Sequence, residues 1–276
     1  MQTETAIKTT HIGHIEGIAS MLTDRVNLPA PTTEMYQRYK NAVPFPHLVI
    51  DNLFPKETLE DMLEELPPLT DDKWVHDRNA QSVKSNFRSA VDLGPCGYQF
   101  AAFLNSAGFL YLLSEMTGIW GLLGDPYLGG AGYHVVPAGG KFEIHADRNT
   151  DMNTGLFRRL AMLTYLNHDW DPALGGQLEL YNDDATKCEK VVEPIFNRTL
   201  IMEIGDKNFH AVRPVLSDTR SRMSFATYYH TVGEKDFKAH SSIYAPTFYQ
   251  QKEPLGRRLA KDLLPPIVLR ALKSVK

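Results

Sequence analysis

A mainly β fold with flanking helices is what this sequence predicts, and three observations predict it. Short β-like runs separated by turn residues fill the stretch from 129 to about 230. Helix-like patterns lie on both sides of that block. The composition, 43% apolar and 22% charged over 276 residues, is that of an ordinary globular chain. Repeated short strands with turn signals between them imply a sandwich, barrel or jelly roll, and all-β folds of this kind reach such a length as one domain. We therefore expect a single domain over 1–276. Residues 1–128 would give helical and loop support, 129–232 the catalytic core, and 233–276 a C-terminal extension.

The elements follow in order. Residues 1–43 are polar and weakly patterned, with Thr33 placed to cap a helix running to about Ala42. Pro44 to Ile50 reads as a short apolar strand. Leu59, Met62, Leu63 and Leu66 recur at helical spacing, which predicts an amphipathic helix over Pro55–Leu66, ended by Pro67-Pro68. Residues 69–95 read as a polar, loop-rich stretch and 99–116 as one buried helix. The β runs are Gly132–Val136, Lys141–His145, Leu160–Asn167, Gln177–Tyr181, Glu189–Glu193, Thr199–Ile204, Phe209–Val215 and Met223–His230. Gly139-Gly140, Gly175-Gly176, Asn182-Asp183-Asp184 and Gly205-Asp206 punctuate them. After Pro246 the pattern returns to helix, with basic residues Arg257, Arg258, Lys261, Arg270, Lys273 and Lys276 reading as a solvated face.

Composition narrows the partners and the compartment. A formal net charge of −4 offers no electrostatic case for nucleic acid. No apolar run reaches the ~18–20 residues that span a bilayer, so no integral membrane association is expected. Two cysteines, Cys96 and Cys188, are too few for a disulfide framework and fit a reducing cytoplasm. The N-terminal residues lack the apolar core of a secretory signal.

The chemistry concentrates in His145-Ala146-Asp147, with His210 and Arg222 downstream. Two imidazoles and one carboxylate form the facial set that holds non-haem Fe(II) and leaves the opposite positions open. In extended chain, residues i and i+2 project to one side, so His145 and Asp147 can face one ion while His210 arrives from a separate run. A hydrogen-bonded histidine is the competing reading of His145 alone. Arg222 opens the last β run, where a buried guanidinium needs an anionic partner. That partner is either a bound carboxylate or a structural acid such as Glu179 or Glu203. Arg220, in a turn two residues earlier, is the alternative anchor.

Six ordered segments resemble the prolyl 4-hydroxylase-like branch of the Fe(II)/2-oxoglutarate-dependent oxygenases. They are Gly139–Asp147, Leu163–Trp170 (LTYLNHDW), Gly175–Tyr181 (GGQLELY), Glu193–Arg198 (EPIFNR), Phe209–Val215 and Arg222-Met-Ser. Pro44–Asn52 adds a weaker match. The resemblance implies a double-stranded β-helix, a jelly-roll or cupin-like core with supporting helices. It implies that His145, Asp147 and His210 ligate Fe(II), and that Arg222 and Tyr165 hold the distal carboxylate of 2-oxoglutarate, with O2 as the other co-substrate. Many relatives carry a tyrosine where this chain has Val136; Tyr133, at another offset, receives no such role. Because Asp147 is intact, halogenation is disfavoured and hydroxylation of a C–H, with release of succinate and CO2, is expected.

The expected partner is a small-molecule substrate: a metabolite, amino acid or saccharide. Hydroxylation of a prolyl or other side chain in a protein is the alternative, and a cupin-like metal-binding or sensor protein without turnover is the reading from a different class. Residues 148–158 and the stretch 69–95, with Trp74, His76, Asn79 and Asn86, are the candidate rims of the site. His168 and His230, at strand ends, are further residues that could approach it.

Overall fold

The computed structural model describes residues 22–79, 81–87, 92–233 and 238–245. The helix expected after Pro246 and the basic tail lie outside the described residues. Four helices and twelve strands follow in order: α1 (Thr32–Lys40), β1 (His47–Asp51), α2 (Lys56–Glu64), β2 (Trp74–Arg78), β3 (Val83–Phe87), α3 (Gly94–Leu104), α4 (Ala107–Thr117), β4 (Gly132–Val136), β5 (Phe142–Ala146), β6 (Phe157–Tyr165), β7 (Leu178–Tyr181), β8 (Cys188–Val192), β9 (Arg198–Glu203), β10 (His210–Val212), β11 (Arg222–Thr231) and β12 (Ile243–Tyr244). A seven-stranded sheet has the order β1-β9-β6-β11-β4-β3-β2, and a five-stranded sheet has the order β12-β5-β10-β7-β8. The paired strands of both sheets are antiparallel. This is the jelly-roll arrangement the strand spacing predicts.

The period of two along each strand decides which residues meet. On β4, Tyr133 and Val135 join the larger core, which also contains Leu59 and Met62 of α2, Phe100 of α3 and Phe109 of α4. On β11, Phe225 and Tyr229 do the same. The alternate residues of the large sheet, including Ala161, Tyr165, Leu200 and Met202, pack against Leu178, Leu180 and Val212 of the small sheet. The large sheet is therefore covered by helices on one face and by the small sheet on the other. The site lies between the sheets.

Three sequence expectations need correction, and Tyr133 keeps the absence of a co-substrate role expected for it. The segment 69–95 is not merely loop, because β2 and β3 pair from Trp74↔Phe87 to Arg78↔Val83 and β3 extends the large sheet beside β4. Its polar residues hid an alternation in which Ser85 and Phe87 are buried while Lys84 and Asn86 point the other way. The single helix over 99–116 is two helices. Ser106 breaks it, adopting an extended backbone and accepting the Phe109 N–H at 3.3 Å as the N-cap of α4. Thr33 is not a cap; α1 begins at Thr32, straight after Pro31. Tyr133 faces the helical core, and its hydroxyl donates to the Met62 carbonyl at 3.3 Å.

Candidate active site between the two sheets

Two motif residues brace the strands that carry the site. Asn167 donates from its amide to the carbonyls of Pro194 (2.7 Å) and Met223 (2.9 Å) and accepts the Met223 N–H at 2.6 Å. These bonds anchor the start of β11, immediately beside Arg222. Trp170 donates its indole N–H to Gly175 O at 3.0 Å, fixing the Gly-Gly turn before β7. Gly175 has φ of +71° and a Cβ there would lie 2.1 Å from the Pro214 carbonyl, so the turn admits only glycine. The Gly176 carbonyl then accepts Arg222 Nε at 3.2 Å.

His145 and His210 are register partners across β5 and β10, with ring centroids 4.2 Å apart. Asp147 follows β5, and its Oδ1 lies 3.3 Å from His145 Nε2 and 3.9 Å from His210 Nε2. The candidate ligand atoms of all three residues fall within 4.8 Å of one another. Each imidazole has Nδ1 at a backbone carbonyl two residues earlier: Glu143 at 2.8 Å for His145, and Asn208 at 3.2 Å for His210. Donation from Nδ1 selects the tautomer whose Nε2 lone pair faces the centre. His145 Nε2 is fully buried with no hydrogen-bond partner. Burial and then the neighbouring His145 push the His210 pKa down to about 4, which keeps its imidazole neutral. Burial opposes the charge on Asp147, but His210 and His145 outweigh it and hold the carboxyl well below its usual range. Two imidazoles whose Nε2 atoms point to the centre, a carboxylate held ionised and an orphaned Nε2 are what a divalent metal needs, so the donor set fits Fe(II).

The same cavity reaches Arg222. Its side chain is 2% exposed, and its Nη2 has no hydrogen-bond partner. The Tyr165 hydroxyl is likewise buried and unpartnered, and the Arg222 guanidinium stands 4.8 Å above the Tyr165 ring. The structural acids are already taken: Glu179 pairs with Arg213 at 2.7 Å and Glu203 with Arg159 at 2.8 Å. Arg220 is turned away, donating to the carbonyls of His168 and Asp169. A guanidinium and a phenol left unsatisfied side by side fit one incoming carboxylate.

The structure does not bring every expected residue to the site. His168 stacks on Phe196 at 3.8 Å, and Trp74 stacks on Phe87 at 4.3 Å within the helical core. His230 belongs to a separate cluster with Asp125 and Asp151. Three residues that line the cavity were missed in sequence: Lys84, His134 and Tyr228. Strand alternation was the available signal. His134 and Tyr228 share parity with Val136 and Arg222 on their strands, and Lys84 lies opposite the core-facing Ser85. Burial, then the Lys84 charge, push His134 down to about 3.

Residues 131–230 match the family model of the 2OG-Fe(II) oxygenase superfamily. Over those residues the chain is similar to that superfamily. It is similar to mouse prolyl 3-hydroxylase OGFOD1, with 30% identity over 38% of this chain and 18% of the relative. It is also similar to the Ostreococcus tauri prolyl 3,4-dihydroxylase OGFOD1, with 26% identity over 69% of this chain and 39% of the relative. The matches thus span less than half of these curated relatives. A prolyl hydroxylase from Trichoplax adhaerens, solved with a peptide fragment of hypoxia inducible factor, shares the fold at a TM-score of 0.52 and 21% identity, over 72% of this chain and 88% of that one.

These findings correct the expectation of a small-molecule partner. The curated relatives are named for prolyl substrates, and the solved neighbour holds a peptide. The error has a physical source. The legible motifs serve iron and 2-oxoglutarate, which superfamily members share, and neither group records what is oxidised. Among the described residues no helix is long and apolar enough to cross a membrane.

Proposed function

We propose that this oxygenase is a hydroxylase of peptidyl side chains, with a prolyl residue in a protein or peptide as its substrate. One observation supports the oxygenase chemistry: a single cavity joins the orphaned His145 Nε2, beside Asp147 and His210, to Arg222, whose Nη2 is orphaned and whose guanidinium stands over the Tyr165 ring. The prolyl class is supported by the curated relatives.

His145, Asp147 and His210 would hold Fe(II). Arg222 and Tyr165 would grip the distal carboxylate of 2-oxoglutarate, with Gly176 O and Ser224 Oγ setting the guanidinium direction at 3.2 and 3.4 Å. Bound iron supplies O2 activation coupled to decarboxylation of the co-substrate to succinate. The protein's own contribution is placement and exclusion of water. Phe142, Leu163, Met202 and Val212 give the cavity apolar walls. Lys84 and Tyr228 bring polar groups to those walls, and Arg158 stands 4.1 Å over the Tyr228 ring. Residues 148–158 therefore reach the cavity through Tyr228.

The test is to incubate the enzyme with Fe(II), 2-oxoglutarate, O2 and a library of proline-containing peptides. Mass spectrometry should find peptides heavier by one oxygen at proline, matched by equimolar succinate. Succinate release stimulated by free metabolites but by no peptide would refute the peptidyl reading and leave the oxygenase reading intact.

A further inference from the structure

The cluster of Asp125, Asp151 and His230 has no part in the chemistry above. Three separate segments deliver it. Asp125 follows α4 in a stretch tied to the end of β11 by paired backbone bonds between Leu123 and His230, at 2.8 and 2.9 Å. Asp151 sits in the turn between β5 and β6. His230 lies just past a register shift on β11, the kind of irregularity that re-aims a side chain.

All three side chains are buried, at 2%, 1% and 1% exposure, and their ligand-capable atoms fall within 4.8 Å of one another. Two side-chain atoms of these residues make no hydrogen bond. Asp151 Oδ2 and His230 Nε2 are each buried without a hydrogen bond. The rest of the cluster is firmly held. Asp125 accepts the N–H groups of Tyr127 (3.0 Å) and Gly129 (2.8 Å). Asp151 Oδ1 accepts the N–H groups of Asn153 and Thr154 and the Thr154 hydroxyl. A carboxylate oxygen and an imidazole nitrogen buried in one cluster without hydrogen bonds are costly unless something joins them.

Arg158 does not join them. Its Nη2 is 3.7 Å from Asp151 Oδ2, beyond hydrogen-bond reach, and donates instead to the Gly129 carbonyl. Two carboxylates against one guanidinium leave net negative charge. Gly129 lies tight against the cluster, since a Cβ there would lie 2.8 Å from Asp151 Oδ2. One imidazole with two carboxylates suits Zn(II), Mn(II), Fe(II) or Co(II) better than Mg(II) or Ca(II), which favour oxygen alone.

We propose that Asp125, Asp151 and His230 form a second divalent transition-metal site, separate from the iron centre. Such an ion ties the post-α4 segment and the end of β11 to the turn that begins four residues after Asp147. It thereby steadies the segment leading to Arg158 and Tyr228 at the cavity.

Co(II) titrated calorimetrically into the metal-free, tag-free chain tests this. The wild type should bind two equivalents. The double variant His145→Ala, His210→Ala should bind one, and His230→Gln should bind one. Gly129→Ala, which keeps every ligand and crowds Asp151 Oδ2, should also bind one, and it decides the matter should His230→Gln not fold. A single equivalent in the wild type, meaning that only a proton occupies His230, overturns the proposal. So does retention of both equivalents by Gly129→Ala, or loss of both in the double histidine variant.

Discussion

Two buried clusters of similar make-up lie near the same turn, and they differ in what surrounds them. In His145, Asp147 and His210 the free imidazole nitrogen opens on a cavity that continues to Arg222, which stands over the Tyr165 ring. Asp125, Asp151 and His230 are buried together, with Gly129 and the Arg158 guanidinium packed against Asp151. Ligand types alone do not separate a reacting centre from a structural one. The neighbours do, because an open centre with a second unsatisfied group across the cavity has somewhere to bind a co-substrate.

The largest expected effect tests the open cluster. His210→Ala should reduce Fe(II)-dependent succinate formation to background; substantial turnover in that variant would mean the open cluster is not the iron site. Arg222→Ala comes next. Loss of a buried, charge-assisted carboxylate contact of about 1.5–3 kcal/mol should raise the 2-oxoglutarate KM by about 10- to 100-fold. Tyr165→Phe, which removes one hydroxyl, should raise it about fivefold. Unchanged KM in both would detach this end of the cavity from the co-substrate.

The closed cluster should answer in stability instead. Asp151→Ala strips the acceptor from Asn153 and Thr154 and leaves Arg158 without its carboxylate. A loss of about 1–3 kcal/mol is expected by urea denaturation. Equal stability would show that the turn is held by other contacts.

Acid should act through the cavity histidines. His134 and His210 are held neutral in the fold, at about 3 and about 4 against an ordinary 6.5. Between those values the unfolded chain binds more protons than the folded one, so stability falls as pH drops below about 6.5. The metal-free protein should lose on the order of 1–3 kcal/mol between about pH 7 and about pH 5, and His134→Gln should flatten that slope. The smallest effect belongs to Arg220→Ala. This half-buried side chain is turned to the His168 and Asp169 carbonyls, and its loss should leave the 2-oxoglutarate KM within about twofold of wild type.

Much of this was legible in the chain. His145, Asp147, His210, Tyr165 and Arg222 could be read because strand period and motif order tie each to a face and a neighbour. The expected strands from Gly132 to His230 recur within a few residues of their structural ends, since alternation and Gly-rich turns are local signals. Lys84 and the β2–β3 hairpin escaped, because a polar strand at the sheet edge lacks the apolar alternation that marks a half-buried one. His230 showed no sign of its cluster, since Asp125 and Asp151 come from segments that meet only after folding.

By itself, then, the sequence determined the β class and singled out His145, Asp147 and His210 as candidate ligands and Arg222 as the candidate co-substrate anchor, all of which rest on short-range pattern. Tertiary structure alone decided that Arg222 lacks an acidic partner, that Lys84, His134 and Tyr228 line the cavity, and that a second buried trio exists. Those facts depend on which distant side chains satisfy one another, and burial sets that accounting only once both sheets have closed over the core.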